Sequence, residues 1–293
     1  MADIEKLLRD DAEFIEKELD RRLSHELLGG GIMADAMRYA TLGGGKRIRA
    51  FLTIEFCRMF GGKREDAAAY ASAIEMIHAY SLIHDDMPCM DNDDMRRGKP
   101  SCHKKFGEDI ALLAGDALLT YAFENAVLDY STTDRINRYA VYELSHGAGA
   151  VGMCGGQELD LMLDCPNMET LNNIHNLKTG ALIRTAALLG YYAAVPGPDS
   201  DIRDKISAYS SALGIAFQIT DDLLDVRSTE EELGKPIGSD AKNGKKTVLT
   251  FMTEKEADAE ALRLSKYAEK IFSDMPGGDV ICELPMFLYG RKK

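Results

Sequence analysis

The chain has 293 residues and a formal net charge of −13, with 45% hydrophobic residues, 8% aromatic residues and no Trp. That length supports one large domain or two ordinary ones with a substantial core. The acidic excess argues against non-specific nucleic-acid binding, and it is hostile to an anionic substrate unless cations intervene. Only eight prolines and few alternating β-branched stretches occur, which argues against a β architecture.

The N-terminal stretch MADIEKLLRDDAEFIEKELDRR is charged throughout, so no signal peptide is expected in it. Ile4, Leu7, Leu8, Phe14, Ile15 and Leu19 fall on one stripe at helical spacing and predict an amphipathic helix. Residues 65–87 lack glycine and are dominated by Ala, Ile, Leu and Met, which predicts a central helix that is apolar on most of its circumference. Segments 109–129, 134–163, 169–193 and 203–226 repeat that character. Gly147, Gly149, Gly152, Gly155, Gly156 and Gly214 interrupt two of them. Each costs roughly 1 kcal/mol against alanine in a helix, so they predict close helix packing or ligand approach. Breaks at Gly29–Gly31, Gly43–Gly45, Pro88–Pro100, Pro196–Pro198 and Gly234–Asn243 are too short for domain linkers. The expectation is one all-α domain over residues 1–293, a bundle of ten or more helices.

The six cysteines, Cys57, Cys89, Cys102, Cys154, Cys165 and Cys282, contain no C-x-x-C pair and predict reduced thiols in the cytoplasm. No apolar run approaches about 20 residues without charge, so no membrane span is expected. The Arg-Lys-Lys tail reads as a solvated basic end.

Two acidic clusters stand out. In YSLIHDDMPCMDNDDMRRGKP an apolar segment runs into Asp85, Asp86 and Asp91, and Arg96 and Arg97 follow. In FQITDDLLDV the acids are Asp221, Asp222 and Asp225. At about 100° per residue, Asp221 and Asp225 lie within about 40° of each other on a helix. Asp85 and Asp91 would be about 120° apart on a continuous helix, but Pro88 interrupts it and lets the chain swing Asp91 back. An acidic run alone is ordinarily solvated surface, and the spacing lacks the glycine and final glutamate of a calcium loop. Two such runs at the ends of apolar helices instead suggest Mg²⁺ sites gripping a diphosphate, since hard cations take carboxylates and phosphates together. LGGGKRIR adds Lys46, Arg47 and Arg49 behind three glycines without the spacing of a Walker A loop. Separated cations follow at Lys178, Lys235 and Lys245; each alone is a surface charge by default.

The set LGGGKRIR, IHAYSLIHDDMPCMDNDDMRRGKP, GMCGGQELDL, HNLKTGALI and AFQITDDLLDV followed by LGKPIGSD resembles the trans-isoprenyl diphosphate synthases, and most closely their bacterial farnesyl-producing members. The resemblance runs in order from about residue 30 to 250 and implies the isoprenoid synthase fold, helices around a central cavity. It implies that Asp85, Asp86, Asp91, Asp221, Asp222 and Asp225 bind Mg²⁺, with about three ions per active site. Lys46, Arg49, His78 and Arg97 match the isopentenyl diphosphate site; Arg96, Lys178, Thr179, Gln218 and Lys235 match the allylic diphosphate site. A homodimer is implied as well. GKKTVLTFM departs from the family pattern and leaves the role of Lys245 or Lys246 open.

The implied reaction is head-to-tail condensation of isopentenyl diphosphate with dimethylallyl or geranyl diphosphate to give farnesyl diphosphate. Alternatives are a geranylgeranyl diphosphate synthase, a non-catalytic synthase subunit, a terpene cyclase and a phosphohydrolase. For product length the relevant pair is Tyr80 and Ser81. A helical turn rises about 5.4 Å, roughly one isoprene unit, and side chains lean toward the helix N-terminus. The Tyr80 ring is thus expected to floor the path of a chain growing back from Asp85, while Ser81 is too small to block it.

Overall fold

A computed structural model describes residues 3–128, 134–162, 165–227 and 246–291. Among these the chain forms fourteen α-helices, one π-helical turn, one 3₁₀ turn and a single two-stranded hairpin, so the expected all-α class holds. Its contacts cluster into two compact units, one of residues 5–144 and 189–197, the other of residues 1–4, 145–188 and 198–293.

The first unit holds α1 (Ile4–Arg22), α2 (His25–Leu28), α3 (Gly31–Thr41), α4 (Ile48–Met59) and α5 (Arg64–Asp85). The hairpin of β1 (Met95–Arg96) and β2 (Lys99–Pro100) comes next, then α6 (Cys102–Phe106), α7 (Glu108–Val127) and most of α8 (Asp134–Ala148). On α1, Ile15 and Leu19 are buried as the stripe predicts, but so is Asp11. Its carboxylate accepts from both terminal nitrogens of Arg58 at 2.8 and 2.9 Å. That bidentate pairing is what lets an acid occupy an apolar stripe.

Helix α5 begins where Asp66 accepts the Lys63 backbone N–H at 2.8 Å. It then buries Ala67 to Ile77 without interruption against α4 and α7. Each fully buried Ile or Met there contributes about 1.5–3 kcal/mol. The small alanines let neighbouring helices come close, so polar groups on this stretch need internal partners. Ser72 donates to the Ala68 carbonyl at 2.7 Å, and Glu75 accepts from Arg47 and from the Ala50 amide. By length and composition α7 could cross a membrane. Here it packs on α3, α5 and α6 through Ala111, Ala114, Leu118 and Ala122.

The second unit contains α9 (Met153–Met162), α10 (Met168–His175), the π turn Asn176–Gly180 and α11 (Ala181–Ala194) up to Leu188. It continues with α12 (Ser200–Arg227), the 3₁₀ turn Val248–Thr250, α13 (Glu254–Ile271) and α14 (Asp279–Tyr289). The single helix expected over 134–163 is broken between α8 and α9, where the Gly152 amide turns back to the Gly149 carbonyl at 3.0 Å. Clustered glycines cost enough helical propensity there for a turn to win. The π turn interrupts the helix expected over 169–193 in the same way. Helix α12 runs unbroken for 28 residues and packs on α13 and α14, with the Tyr209 hydroxyl donating to the Ile281 carbonyl at 2.9 Å.

Candidate active site

In the first unit the chain leaves α5 at Asp85 and reverses at once. The Asp91 amide donates to the Asp85 carbonyl at 2.9 Å, and Asn92 to that of Met87 at 3.1 Å. The swing expected from Pro88 is present, and it holds the backbones of Asp85 and Asp91 together. The hairpin then turns through Arg97 and Gly98, both at positive φ, the backbone that a two-residue type I′ turn requires. Arg96 and Arg97 sit on successive positions and diverge. Arg96 Nε reaches both carboxylate oxygens of Asp86 at 3.0 and 3.2 Å, and its terminal nitrogen closes the fork. Arg97 donates to the Gly44 carbonyl in the glycine loop. The abrupt sequence of acids and arginines thus encodes one part-buried ion pair and one cation aimed at that loop.

The glycine loop delivers its own charges to the same place. Arg47 is buried and pairs with Glu75 at 2.9 Å, with Glu16, and with the Thr41 carbonyl, a structural anchor. Arg49 differs. Its Nε is buried and has no hydrogen-bond partner among the described residues. Burial pushes its pKa down, Glu75 opposes this, and the nearby Arg97 adds to the fall. Arg97 is lowered by burial and by Arg47. The His78 imidazole is held well below its usual value by burial and by Arg49, Arg97, Arg47 and Arg96 in turn, so it is neutral at physiological pH. Cations that depress one another in this way form a site short of negative charge. Lys46 is exposed on the same loop. Tyr80 is buried with its ring against His84, and the half-buried Ser81 donates to the His78 carbonyl at 2.9 Å.

In the second unit Lys178 and Thr179 lie within the π turn, a geometry that often marks functional positions. A Cβ on Gly156 would stand 2.2 Å from the Lys178 backbone nitrogen, so only glycine lets α9 press this closely on the turn. Lys178 Nζ pairs with Asp160 Oδ2 at 2.6 Å. Thr179 Oγ1 donates to Gln218 Oε1 at 3.4 Å, and Gln218 Nε2 donates to Asp222 Oδ1 at 3.3 Å. The Val248 amide donates to Asp222 Oδ2 at 2.8 Å. Lys178, Thr179, Gln218 and Asp222 therefore belong to one cluster.

The two acidic motifs share a pattern. In each Asp-Asp pair the second residue is buried and held by protein, Asp86 by Arg96 and Asp222 by Val248 and Gln218. The first and third, Asp85 with Asp91 and Asp221 with Asp225, stay half-buried. On α12 Asp221 and Asp222 lie about 100° apart and so face different surroundings. Among the described residues no three His, Cys, Asp or Glu side chains converge to enclose an ion by themselves. Carboxylates in ones and twos nevertheless suit Mg²⁺, which completes its shell with water and phosphate.

One expectation needs amendment. The C-terminal tail is not wholly solvated. Arg291 pairs with Asp221, and its guanidinium lies 3.9 Å from the centre of the Phe217 ring, a combination of charge and stacking available to arginine. Arg96, expected at the allylic diphosphate, is engaged with Asp86. Lys235 and Lys245 lie outside the described residues; Lys246 is exposed. Three contributors were missed. Glu75 gathers Arg47 beside His78, Asp160 holds Lys178, and His175 is a buried imidazole whose Nδ1 has no partner among the described residues and whose pKa is lowered to about 4 by burial. Their signal was helical spacing, since Glu75 is one turn before His78, His175 one turn before Lys178, and Asp160 lies in GQELD on α9.

Comparison with known proteins accords with this geometry. The polyprenyl synthetase family model matches residues 31–275. The chain is 44% identical to the geranylgeranyl diphosphate synthase of Cyanophora paradoxa over 241 residues, covering 80% of this chain and 79% of that one. It is 37% identical to the farnesyl diphosphate synthase of Haemophilus influenzae over 281 residues, covering 95% and 94%. Among solved structures, the geranyltransferase of Helicobacter pylori, complexed with magnesium and isoprenyl diphosphate, superimposes with a TM-score of 0.84 at 28% identity, covering 99% and 97%. The chain belongs to the polyprenyl synthetase family. It is a prenyltransferase of the trans-prenyl diphosphate synthase class.

Proposed function

We propose that this enzyme joins isopentenyl diphosphate head to tail with dimethylallyl or geranyl diphosphate and releases farnesyl diphosphate. The observation that carries the reading is the Arg49 guanidinium, whose buried Nε has no acceptor among the described residues and lies beside neutral His78 and Arg97. In a protein of net charge −13, such a spot is suited to a substrate anion. Lys46, Arg49, His78 and Arg97 hold isopentenyl diphosphate. Lys178, with Thr179 and Gln218, orients the allylic diphosphate, and Lys235 is assigned there by resemblance. Thr179 and Gln218 also present oxygen atoms toward developing positive charge.

Asp85, Asp91, Asp221 and Asp225 are the proposed Mg²⁺ ligands, with Asp86 and Asp222 setting the backbone beside them. Bound Mg²⁺ supplies the charge that makes diphosphate a good leaving group. Magnesium in the Helicobacter pylori complex supports the choice of metal. Lys178 exchanges Asp160 for the leaving diphosphate, and Arg49 and Arg97 keep the second substrate's double bond in line.

The buried Tyr80 ring supports a fifteen-carbon product, because it floors the path along α5. Geranylgeranyl diphosphate is the second reading, favoured by the identity with the Cyanophora paradoxa enzyme. A homodimer belongs to the proposal, supported by the exposed Leu113 and Leu128 at α7. Six free cysteines support a reducing, cytoplasmic setting.

The test incubates the protein with Mg²⁺, isopentenyl diphosphate and geranyl diphosphate, then separates the dephosphorylated products by chromatography. Farnesol is expected from wild type. Asp85→Asn and Asp221→Asn are expected to cut turnover by orders of magnitude at unchanged helicity by circular dichroism. Absence of any condensed product, or near-normal turnover in both variants at limiting Mg²⁺, would defeat the proposal.

A further inference from the structure

His84 directly precedes Asp85, yet its imidazole is turned away to α7. Nε2 lies 3.1 Å from the Leu112 carbonyl oxygen. A carbonyl can only accept, so Nε2 carries the hydrogen and donates. The Asp116 carboxylate stands 3.9 Å from the same nitrogen. The ring occupies a notch that exists because residue 115 has no side chain. A Cβ on Gly115 would fall 2.1 Å from Nε2 and 2.5 Å from Cδ2. One turn earlier on α5, Tyr80 meets His84 edge to face, with ring centroids 5.7 Å apart and planes at 77°. Residues four apart share a helix face, and helical side chains lean toward the N-terminus, so His84 leans over Tyr80.

We propose that His84, seated in the Gly115 notch, is the positioning residue that fixes the Tyr80 ring and thereby sets product length. The inference rests on the reading of Tyr80 as the floor of the product path. A tyrosine ring blocks a growing chain only while it cannot swing. Tyr80 turns about two side-chain bonds, and edge-to-face packing against an imidazole that is itself hydrogen-bonded to a helix removes that freedom. Gly115 and Leu112 on α7 therefore take part in specificity from across a helix interface, without facing the substrates themselves.

The experiment compares product lengths from isopentenyl and geranyl diphosphates for wild type, Tyr80→Ala, His84→Ala, Gly115→Ala and the double variant Tyr80→Ala/His84→Ala. His84→Ala is expected to raise the ratio of twenty- to fifteen-carbon product roughly tenfold, with kcat/KM of the first condensation within about threefold of wild type. Gly115→Ala is expected to do the same, because it evicts the ring while leaving both side chains in the sequence. If that variant does not fold, His84→Ala alone decides. The double variant is expected to give the same products as Tyr80→Ala, since a residue acting only through Tyr80 has nothing left to position. Wild-type product lengths from His84→Ala, or additive lengthening in the double variant, would overturn the proposal even where Tyr80→Ala lengthens the product. Unchanged length in Tyr80→Ala would instead remove the floor itself, and His84 with it.

Discussion

Glu75, Arg47, Arg49 and His78 show how single residues divide structural and functional work. Arg47 and Arg49 are two apart in one basic stretch, yet Arg47 is spent on Glu75 and Glu16 while Arg49 keeps a buried Nε without an acceptor among the described residues. The distinction was not legible in the sequence, where both are arginines behind three glycines. Only the fold, which brings Glu75 of α5 under the loop, separates them. Losing one charge-assisted contact costs about 1.5–3 kcal/mol, roughly ten- to a hundredfold in affinity. Arg49→Ala is thus expected to raise the KM for isopentenyl diphosphate by that factor and leave the allylic KM nearly unchanged. Lys178→Ala is expected to do the reverse. Steady-state kinetics with one substrate saturating tests this, and equal effects on both substrates in both variants would contradict separate basic sites.

At the scale of elements, the sequence was readable where periodicity is strong and unreadable where one element acts on another. The long apolar helix around residues 65–87 is α5, and α12 carries Asp221 and Asp225 one turn apart on a continuous helix. The return of Asp91 after Pro88 followed from a missing backbone donor. The hairpin at Met95–Pro100 did not, because strands of two residues carry no alternation. The split between α8 and α9 and the π turn at Lys178 were likewise hidden, since both depend on which glycines the neighbouring backbone leaves no choice about. Asp11 in an apolar stripe and Arg291 against Asp221 needed partners 47 and 70 residues away. Gly156 offers a test of an element pressed on another. Its would-be Cβ meets backbone atoms of Leu177 and Lys178, which no rotamer change can move aside. Overpacking of this kind costs about 1–3 kcal/mol. Gly156→Ala is expected to lower the melting temperature and raise the allylic KM by displacing the π turn. It should leave the isopentenyl KM unchanged. A variant with wild-type stability and wild-type allylic KM would show that α9 does not hold the turn in place.

At the scale of the whole molecule, a net charge of −13 and two anionic substrates pose the problem that composition raised first. Local cation clusters answer it in part. Arg49, Arg97 and neutral His78 make one region able to accept an anion without metal. The acidic motifs are different, because Asp85 with Asp91 in one unit, and Asp221 with Asp225 in the other, each concentrate negative charge that an allylic diphosphate would meet. Without a divalent cation they should repel that substrate; with Mg²⁺ they should recruit it. Binding stabilises a fold by RT ln(1 + [L]/Kd), about 2.7 kcal/mol at a ligand concentration near a hundred times Kd. For a chain of this size each kcal/mol moves the melting temperature by roughly 2–4 °C. Geranyl diphosphate with Mg²⁺ is therefore expected to raise the melting temperature by roughly 5–10 °C. Either ligand alone should give only a small part of that rise. Asp221→Asn should lose the synergy while retaining the fold, and it also removes the charge that Arg291 pairs with. Isopentenyl diphosphate should bind more independently of metal, since its proposed contacts are side-chain cations. Scanning fluorimetry across the four ligand combinations decides the matter without any turnover. An equal shift by geranyl diphosphate in the presence of a chelator would mean that the acidic motifs do not act through metal.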